Sequence, residues 1–315
     1  MGKFFVLHAS DLHLAKVPDR RGFPGWLDPR RLSPPTWLAS HGSSHPEALA
    51  RFVFEKKPDL VLITGDIATS GAPKNLSVAS EFIDSQPGST YYNAKRPPRP
   101  TLATANRALI PGNHDRFGAH FPYLPNNQAF EGRFGHYWPR SQSRVHTLAV
   151  LRHSTDSACL AVIGADFSLR KRSDTNRRFV GYLGQGKVYD STLTSLKAET
   201  KRVRKQFAPV AVLWVVHFAP KFPKVDQYLD LIDGSKLLSG AKELEVQYIL
   251  CGHTHAASDY SPLPGVEVLC AGTAMEFGSK NQCIHMREFT VQSGQGQATY
   301  SQTRYNWDAA TRQYR

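Results

Sequence analysis

Cysteine is scarce in this chain. Four stand among 315 residues, at positions 159, 251, 270 and 283, and no two form a C-x-x-C pair. So few thiols in so long a chain exclude a disulfide-stapled scaffold and lead us to expect a reducing, cytoplasmic setting. Long apolar runs are missing too. Nothing approaches the ~18 consecutive apolar residues of a membrane span. The N-terminal MGKFFVLHASDLHLA has too short an apolar stretch for a secretion signal. No internal repeat is present, which excludes a solenoid. Acidic residues are in deficit, 26 Asp and Glu against 39 Lys and Arg, for a net charge of +13. That excess favours anionic partners such as nucleotides, nucleic acid, phospholipid headgroups or phosphate esters, and it says nothing about fold.

What the chain does have is alternation of apolar strand patterns with amphipathic helix patterns. KFFVL (3–7), LVLIT (60–64), Arg107 to Ile110, VAVLWVVH (210–217) and VQYIL (246–250) read as strands, and LVLIT has the continuous apolar character of a strand buried on both faces. VHTLAVL and CLAVIGAD read as an antiparallel pair, and three more β segments follow in the tail. Helices are expected over PEALARFVFEKK, from near Pro73, over 191–207 with Ser191 as cap, and over roughly 226–245. The pattern predicts an α/β fold in a single domain over 1–315, with Pro/Arg-rich insertions near 16–45 and 84–101. Trp26 and Trp37 are costly to leave in water, so the first insertion is expected to be ordered. The aromatics of 117–139 read as a satellite core.

Five of the strands end in polar side chains: Asp11-Leu-His13, Gly65-Asp66, Gly112-Asn113-His114-Asp115, His217, and Gly252-His253-Thr-His255. Strand C-termini are where α/β sheets build sites, and a strand end is a rigid mount. The stretch C-G-H-T-H by itself suggests a Cys/His zinc site. Counting across the whole chain changes that reading. Two carboxylates, one amide and four imidazoles exceed what one tetrahedral ion needs. Seven donors with one shared suit two ions, and a carboxylate is the natural bridge. Mixed nitrogen and oxygen donors favour first-row divalent ions. Cys251 is then expected to pack as a small buried hydrophobe.

The order DxH, GD, GNHD, H, GHTH, running from residue 11 to 255, resembles the calcineurin-like metallophosphoesterase superfamily. The PGNHD and GHTH forms, with the length, look most like its class III cyclic-nucleotide phosphodiesterases. The resemblance implies a four-layer α/β/β/α sandwich, the metallo-dependent phosphatase fold, with a dinuclear site at the strand ends. It implies that Asp11, His13, Asp66 and His255 hold one ion, and that Asp66, Asn113, His217 and His253 hold the other, with Mn, Fe or Zn as the metals. His253 and His255 would thus serve different ions. His114 would be no ligand but the general acid, with Asp115 and Thr69 behind it. Two departures stand out. Thr69 occupies the place where many relatives put an Asp that orients the catalytic histidine, and Ser70 the place of an Arg in protein phosphatases. These speak against a protein phosphatase and leave open what orients His114.

The expected activity is dinuclear-metal-dependent phosphoester hydrolysis, foremost of small nucleotide or related diesters. The alternatives are a phosphomonoesterase or pyrophosphatase on nucleotide or lipid-linked substrates, and a DNA nuclease. The last has the basic charge in its favour, but the chain lacks an appended DNA-capping segment. A small phosphoester is the expected partner, nucleic acid the less favoured one, and a homodimer is left open.

Overall fold

The computed structural model describes residues 1–14, 44–84, 101–117, 128–154, 157–175, 184–223, 229, 231–275, 282–292, 294 and 296–315. The insertions expected near 16–45 and 84–101, Trp26 and Trp37 among them, fall almost entirely outside these residues. Among the described residues no helix is long and apolar enough to cross a membrane.

Two six-stranded sheets form the inner layers. The first runs β14-β13-β12-β1-β2-β3 and the second β10-β11-β9-β7-β5-β4. The first is built on β1 (Gly2–Ala9), β2 (Leu60–Ile63) and β3 (Arg107–Leu109), which are parallel. β12 (Cys283–Val291) pairs antiparallel with β1, and β13 (Ala298–Asp308) and the short β14 (Gln313–Tyr314) extend that flank. The second sheet centres on parallel β5 (Cys159–Ala165), β7 (Val210–Val215), β9 (Tyr248–Cys251) and β11 (Val266–Cys270). β4 (Val145–Arg152) and β10 (Ser258–Leu263) close its edges antiparallel. A two-stranded ladder, β6 (Gly186–Lys187) with β8 (Leu231–Ile232), lies apart.

Helices cover the outer faces. α1 (Ser44–Lys56) has Glu47 in its first turn and Lys56 in its last, matching the helix dipole, and buries Ala48, Leu49, Phe52 and Val53 at helical spacing. With α2 (Pro73–Asp84) and α4 (Ala129–Phe134) it shares one core cluster with the first sheet. α5 (Asp190–Phe207) and α6 (Gly234–Glu243) belong to a second cluster with the other sheet. α3 (Asn113–Arg116) is a single turn after β3. The result is the four-layer α/β/β/α sandwich that the resemblance implies.

Three local expectations needed correction or extension. α5 starts one residue earlier than Ser191, with Tyr189 at the N-cap and no side-chain cap, and the Ser191 hydroxyl instead accepts from Arg170 at 3.3 Å. α6 is shorter than the expected 226–245, and 224–228 and 230 lie outside the described residues. β10 was not foreseen. Its sequence SDYSPL looks like a turn, since Pro262 sits at a register shift and Asp259 is spent on a buried partner across the sandwich. Of the aromatics read as satellite core, Phe117, Phe130, Phe134 and Trp138 are buried, and Tyr137 is half-buried against the core.

One buried ion network ties α3 to the second sheet. Arg116 donates from Nε and Nη2 to Oδ2 of Asp166, at 3.0 and 2.8 Å, and from Nη1 to Glu131 at 2.7 Å. Burial alone would raise the Asp166 pKa, but the Arg116 and Arg144 charges outweigh it and hold the carboxyl below its usual range. Its stabilising contribution is therefore present above the unfolded pKa of ~3.9 and is lost as acid carries the pH down through the folded value. Arg116→Met should lower stability at neutral pH by about 3–5 kcal/mol, the cost of stranding a buried charge. The deficit should narrow in acid. Urea unfolding at pH 7 and pH 3.5 checks both points.

Candidate metal centre

The sandwich sets five parallel strands with their C-terminal ends at one edge. β1, β2 and β3 deliver Asp11 and His13, Asp66, and Asn113 and His114 from the first sheet. β7 and β9 deliver His217, His253 and His255 from the second. The loops are laced together by main-chain bonds. Asp11 N donates to Gly65 O at 3.1 Å, His13 N to Asp66 O at 2.9 Å, and Gly252 N to His217 O at 2.9 Å. Carboxylates complete the lacing: His253 N donates to Oδ2 of Asp11 at 3.0 Å and His114 N to Oδ1 of Asp66 at 2.8 Å.

These loops are held in strained backbone. Asp11, His13, Asp66, His253 and His255 all have left-handed φ, between 47° and 70°. Each such residue costs on the order of 1–3 kcal/mol and persists only where its surroundings over-determine it. Gly65 is at φ +95°, and a Cβ there would strike the His217 ring. A Cβ on Gly112 would land on the Asp66 carboxylate. The glycines of the GD and GNHD motifs thus make room for the side chains beside them.

Hydrogen-bond donors fix which lone pairs face inward. His217 Nδ1 donates to the carbonyl of Thr64 at 2.6 Å, which turns Nε2 toward Asn113 Oδ1 at 2.9 Å, His253 Nδ1 at 3.2 Å and Asp66 Oδ2 at 3.3 Å. His253 Nε2 donates to the carbonyl of Gly184 at 2.6 Å, leaving Nδ1 as the inward atom. Four electron-pair donors therefore converge. A second convergence lies beside it. Oδ1 of Asp11 is buried and accepts no hydrogen bond, with His255 Nε2 at 3.2 Å and His13 Nε2 at 3.9 Å; those two nitrogens are 3.4 Å apart. Lone pairs packed this closely repel unless a cation sits among them, so the residues present fit divalent metal ions with nitrogen and oxygen ligands.

Among the described residues, three groups have ligand atoms close enough to share an ion: Asp11 with His13 and His255, His13 with Asp66 and His114, and Asp66 with His217 and His253. Every expected metal-holding histidine and carboxylate is brought to this edge, and the two histidines of GHTH fall into different groups. Cys251 falls in none of them; it is fully buried, and burial followed by its neighbour Cys270 pushes its thiol pKa well up.

The groups behind the centre differ from expectation in how they act. Asp115 does not face the cluster. Its carboxylate accepts main-chain N–H from Gly112, Ile67 and Ala68 at 2.9, 3.2 and 2.9 Å, stapling the β2 loop to the β3 loop. Burial and the Asp66 charge push its pKa up to about 7. Thr69 touches His114 through its main chain: His114 Nδ1 donates to the Thr69 carbonyl at 2.9 Å, while the Thr69 hydroxyl is occupied by Asn75. The carbonyls of Thr64, Thr69 and Gly184 had no signature in the sequence, because any residue type supplies one.

Residues 5–257 match the family model described as calcineurin-like phosphoesterase. No curated protein matches the sequence. Among solved structures, a dimetal phosphatase from Danio rerio is similar at 11% identity and TM-score 0.55, over 94% of this chain and 98% of that one. The Plasmodium protein GAP50, described as the anchor in the inner membrane complex, is similar at 11% identity and TM-score 0.47, over 97% and 89%. A 5'-nucleotidase from Candida albicans is similar at 10% identity and TM-score 0.47, over 98% of this chain and 52% of that one. At these identities the likeness is one of fold.

In the metal-free protein a proton takes the place of the cation. Burial would depress the His217 pKa, but Asp66 overrides it and pushes it up to about 9. His253 goes the other way, down to about 3, through burial first and the His217 charge second. His217 then adds stability that is complete below the unfolded pKa of ~6.5 and is lost as pH rises through about 9. His253 costs stability as pH falls from ~6.5 toward about 3. Metal-free protein should be most stable near neutrality, and histidine NMR should show one ring titrating near 9. Adding a divalent ion at pH 7.5 should release about one proton, measurable by calorimetry in buffers of different ionisation enthalpy.

Proposed function

The chain belongs to the calcineurin-like phosphoesterase family, and on that premise we propose that it is a dinuclear-metal-dependent phosphodiesterase acting on small nucleotide or related diesters. The observation that carries the reading is the place of Asp66, which falls in two groups, one with His13 and His114 and one with His217 and His253; in the first, His13 would be the ligand and His114 would stand beside it. A carboxylate shared in this way is what a bridged pair of ions requires. Asp11, His13, Asp66 and His255 would hold the first ion; Asp66, Asn113, His217 and His253 would hold the second. Mn, Fe and Zn all suit this donor set. Ions so held would supply Lewis acidity toward phosphoryl oxygens and would lower the pKa of a nearby water toward ~7.

The chain's own residues do the rest. Thr64 and Gly184 carbonyls fix the rings of His217 and His253, so the inward nitrogens need no reorganisation when charge develops on the substrate. His114 is the general acid. With its Nδ1–H engaged by the Thr69 carbonyl, the proton delivered to the departing alkoxide is the one on Nε2. Such a transfer is worth ~10²–10⁴ in rate. The His114 ring stands edge-on to His13 with centroids 4.8 Å apart, which keeps it beside the metal-holding residues. The PGNHD and GHTH forms favour the class III cyclic-nucleotide phosphodiesterase subgroup, and Thr69 and Ser70 disfavour a protein phosphatase. We read residues 1–315 as one domain.

The second reading is a phosphomonoesterase or pyrophosphatase, the wider class of the Danio rerio neighbour described as a dimetal phosphatase. With Mn²⁺, turnover of bis-p-nitrophenyl phosphate should exceed that of p-nitrophenyl phosphate; the reverse order would favour the monoesterase. Degradation of single-stranded DNA with poor turnover of small diesters would favour a nuclease. Asp66→Asn should drop bound metal from about two per chain to well below one by elemental analysis, as expected for a bridging ligand. His114→Ala should keep both ions and lose ~10²–10⁴ in rate, most with poor leaving groups. Loss of metal from His114→Ala would make it a ligand instead.

A further inference from the structure

Behind the metal centre, between the two sheets, lies a guanidinium that takes no part in it. Arg287, on β12, is fully buried. Its terminal nitrogens hold the carboxylate of Asp259, on β10 of the other sheet, at 3.1 and 3.2 Å, and Nη1 also reaches Gln302 at 3.1 Å. The Tyr300 hydroxyl caps the same carboxylate. The fourth bond is the informative one: Nε meets Nδ1 of His8 at 3.1 Å.

An arginine can only donate. Nδ1 of His8 must therefore accept, and the ring hydrogen must sit on Nε2, which lies 3.1 Å from Oγ1 of Thr64. Oγ1 accepts that hydrogen and passes its own to the carbonyl of Ala9 at 3.4 Å. Burial, then Arg287, then His285 keep the His8 pKa well below its ordinary value, consistent with a neutral ring. Every hydrogen in the chain is thus directed outward from the guanidinium.

The chain ends on a residue that touches the metal centre. Thr64 is clamped to β1 by its hydroxyl and by its own N–H, which donates to Ala9 O at 3.0 Å. Its carbonyl then receives Nδ1 of His217 at 2.6 Å and the Ser10 hydroxyl at 3.3 Å. The next residue is Gly65, at φ +95°. A glycine does little to hold the preceding peptide plane, so the direction of this carbonyl depends on the clamp at Thr64.

We propose that Asp259, Arg287, His8 and Thr64 form a positioning relay that runs from the seam of the sandwich to the Thr64 carbonyl, aims the His217 imidazole, and thereby sets the affinity of the second metal position. The relay rests on the reading of His217 as a metal-holding residue. It acts on the second position through a direct contact: His217 hangs on its last carbonyl, whereas Asp11 N donates to the carbonyl of the next residue, Gly65.

The test is a Co²⁺ titration of metal-free protein by calorimetry and visible absorbance. Wild type should show two binding steps, and the step lost in Asn113→Ala identifies the second position. His8→Phe removes both ring contacts and should weaken that step by 10–100-fold, the usual cost of removing a partner behind a ligand, while leaving the other step unchanged. His8→Gln can accept from Arg287 and donate to Thr64 through one amide, so it should recover most of the loss. If His8→Phe does not fold, Thr64→Val replaces it, with Thr64→Ser as the conservative rescue. A general loss of packing would weaken both steps together and would not be rescued; that result, or wild-type affinities in the variants, overturns the relay. Fewer than two ions bound by wild type overturns the metal reading instead, before any variant is compared.

Discussion

Electron-pair donors crowded into a dry space hold this structure to account. Two carboxylates, an amide and four imidazoles converge at one edge of the sandwich, and most of them are buried. Their lone pairs repel one another, and water has little access to relieve them. A cation is the one thing that turns the arrangement from costly to favourable. In the metal-free chain the proton on His217 does part of that work: the Asp66 charge pushes its pKa up against the effect of burial, while burial first and the His217 charge second push that of His253 down. Membership of the calcineurin-like phosphoesterase family rests on the match over residues 5–257, and the donor set at that edge fits the metal ions such a family needs.

Holding such donors in place requires rigidity from elsewhere. Five site residues occupy left-handed backbone, a conformation that side-chain-bearing residues resist. They stay there because the loops are laced to one another by main-chain bonds and by carboxylates that accept main-chain N–H, Asp11 and Asp66 among them. Asp115 has no evident chemical task, yet it staples two of the loops. The two sheets contribute unequal shares of the site, and the Arg287–Asp259 pair and Arg116 with Asp166 bridge from one to the other. Both are ion pairs that only pay off when complete, so both favour one relative placement of the layers.

Much of this was legible in the sequence. Apolar strand patterns terminating in D, GD, GNHD, H and GHTH announced both the layered fold and the edge at which the site would form. Ligand types read directly, because a side chain's donors belong to its residue type. What stayed hidden was whatever the main chain supplies. The ring orientations of His114, His217 and His253 are set by carbonyls of Thr69, Thr64 and Gly184, which leave no residue signature. The sequence leaves open what orients His114, and the contact comes from the Thr69 backbone. β10 was hidden for a related reason: Asp259 faces inward where alternation calls for an apolar residue, because a buried arginine from the opposite sheet awaits it.

The central claim is that the two histidines of GHTH, one residue apart on one loop, belong to different ions bridged by Asp66. Anomalous diffraction from a metal-loaded crystal tests it most directly. The account predicts two anomalous peaks, one bounded by Asp11, His13 and His255 and the other by Asn113, His217 and His253, with Asp66 touching both. A single peak contacted by both His253 and His255 would contradict it.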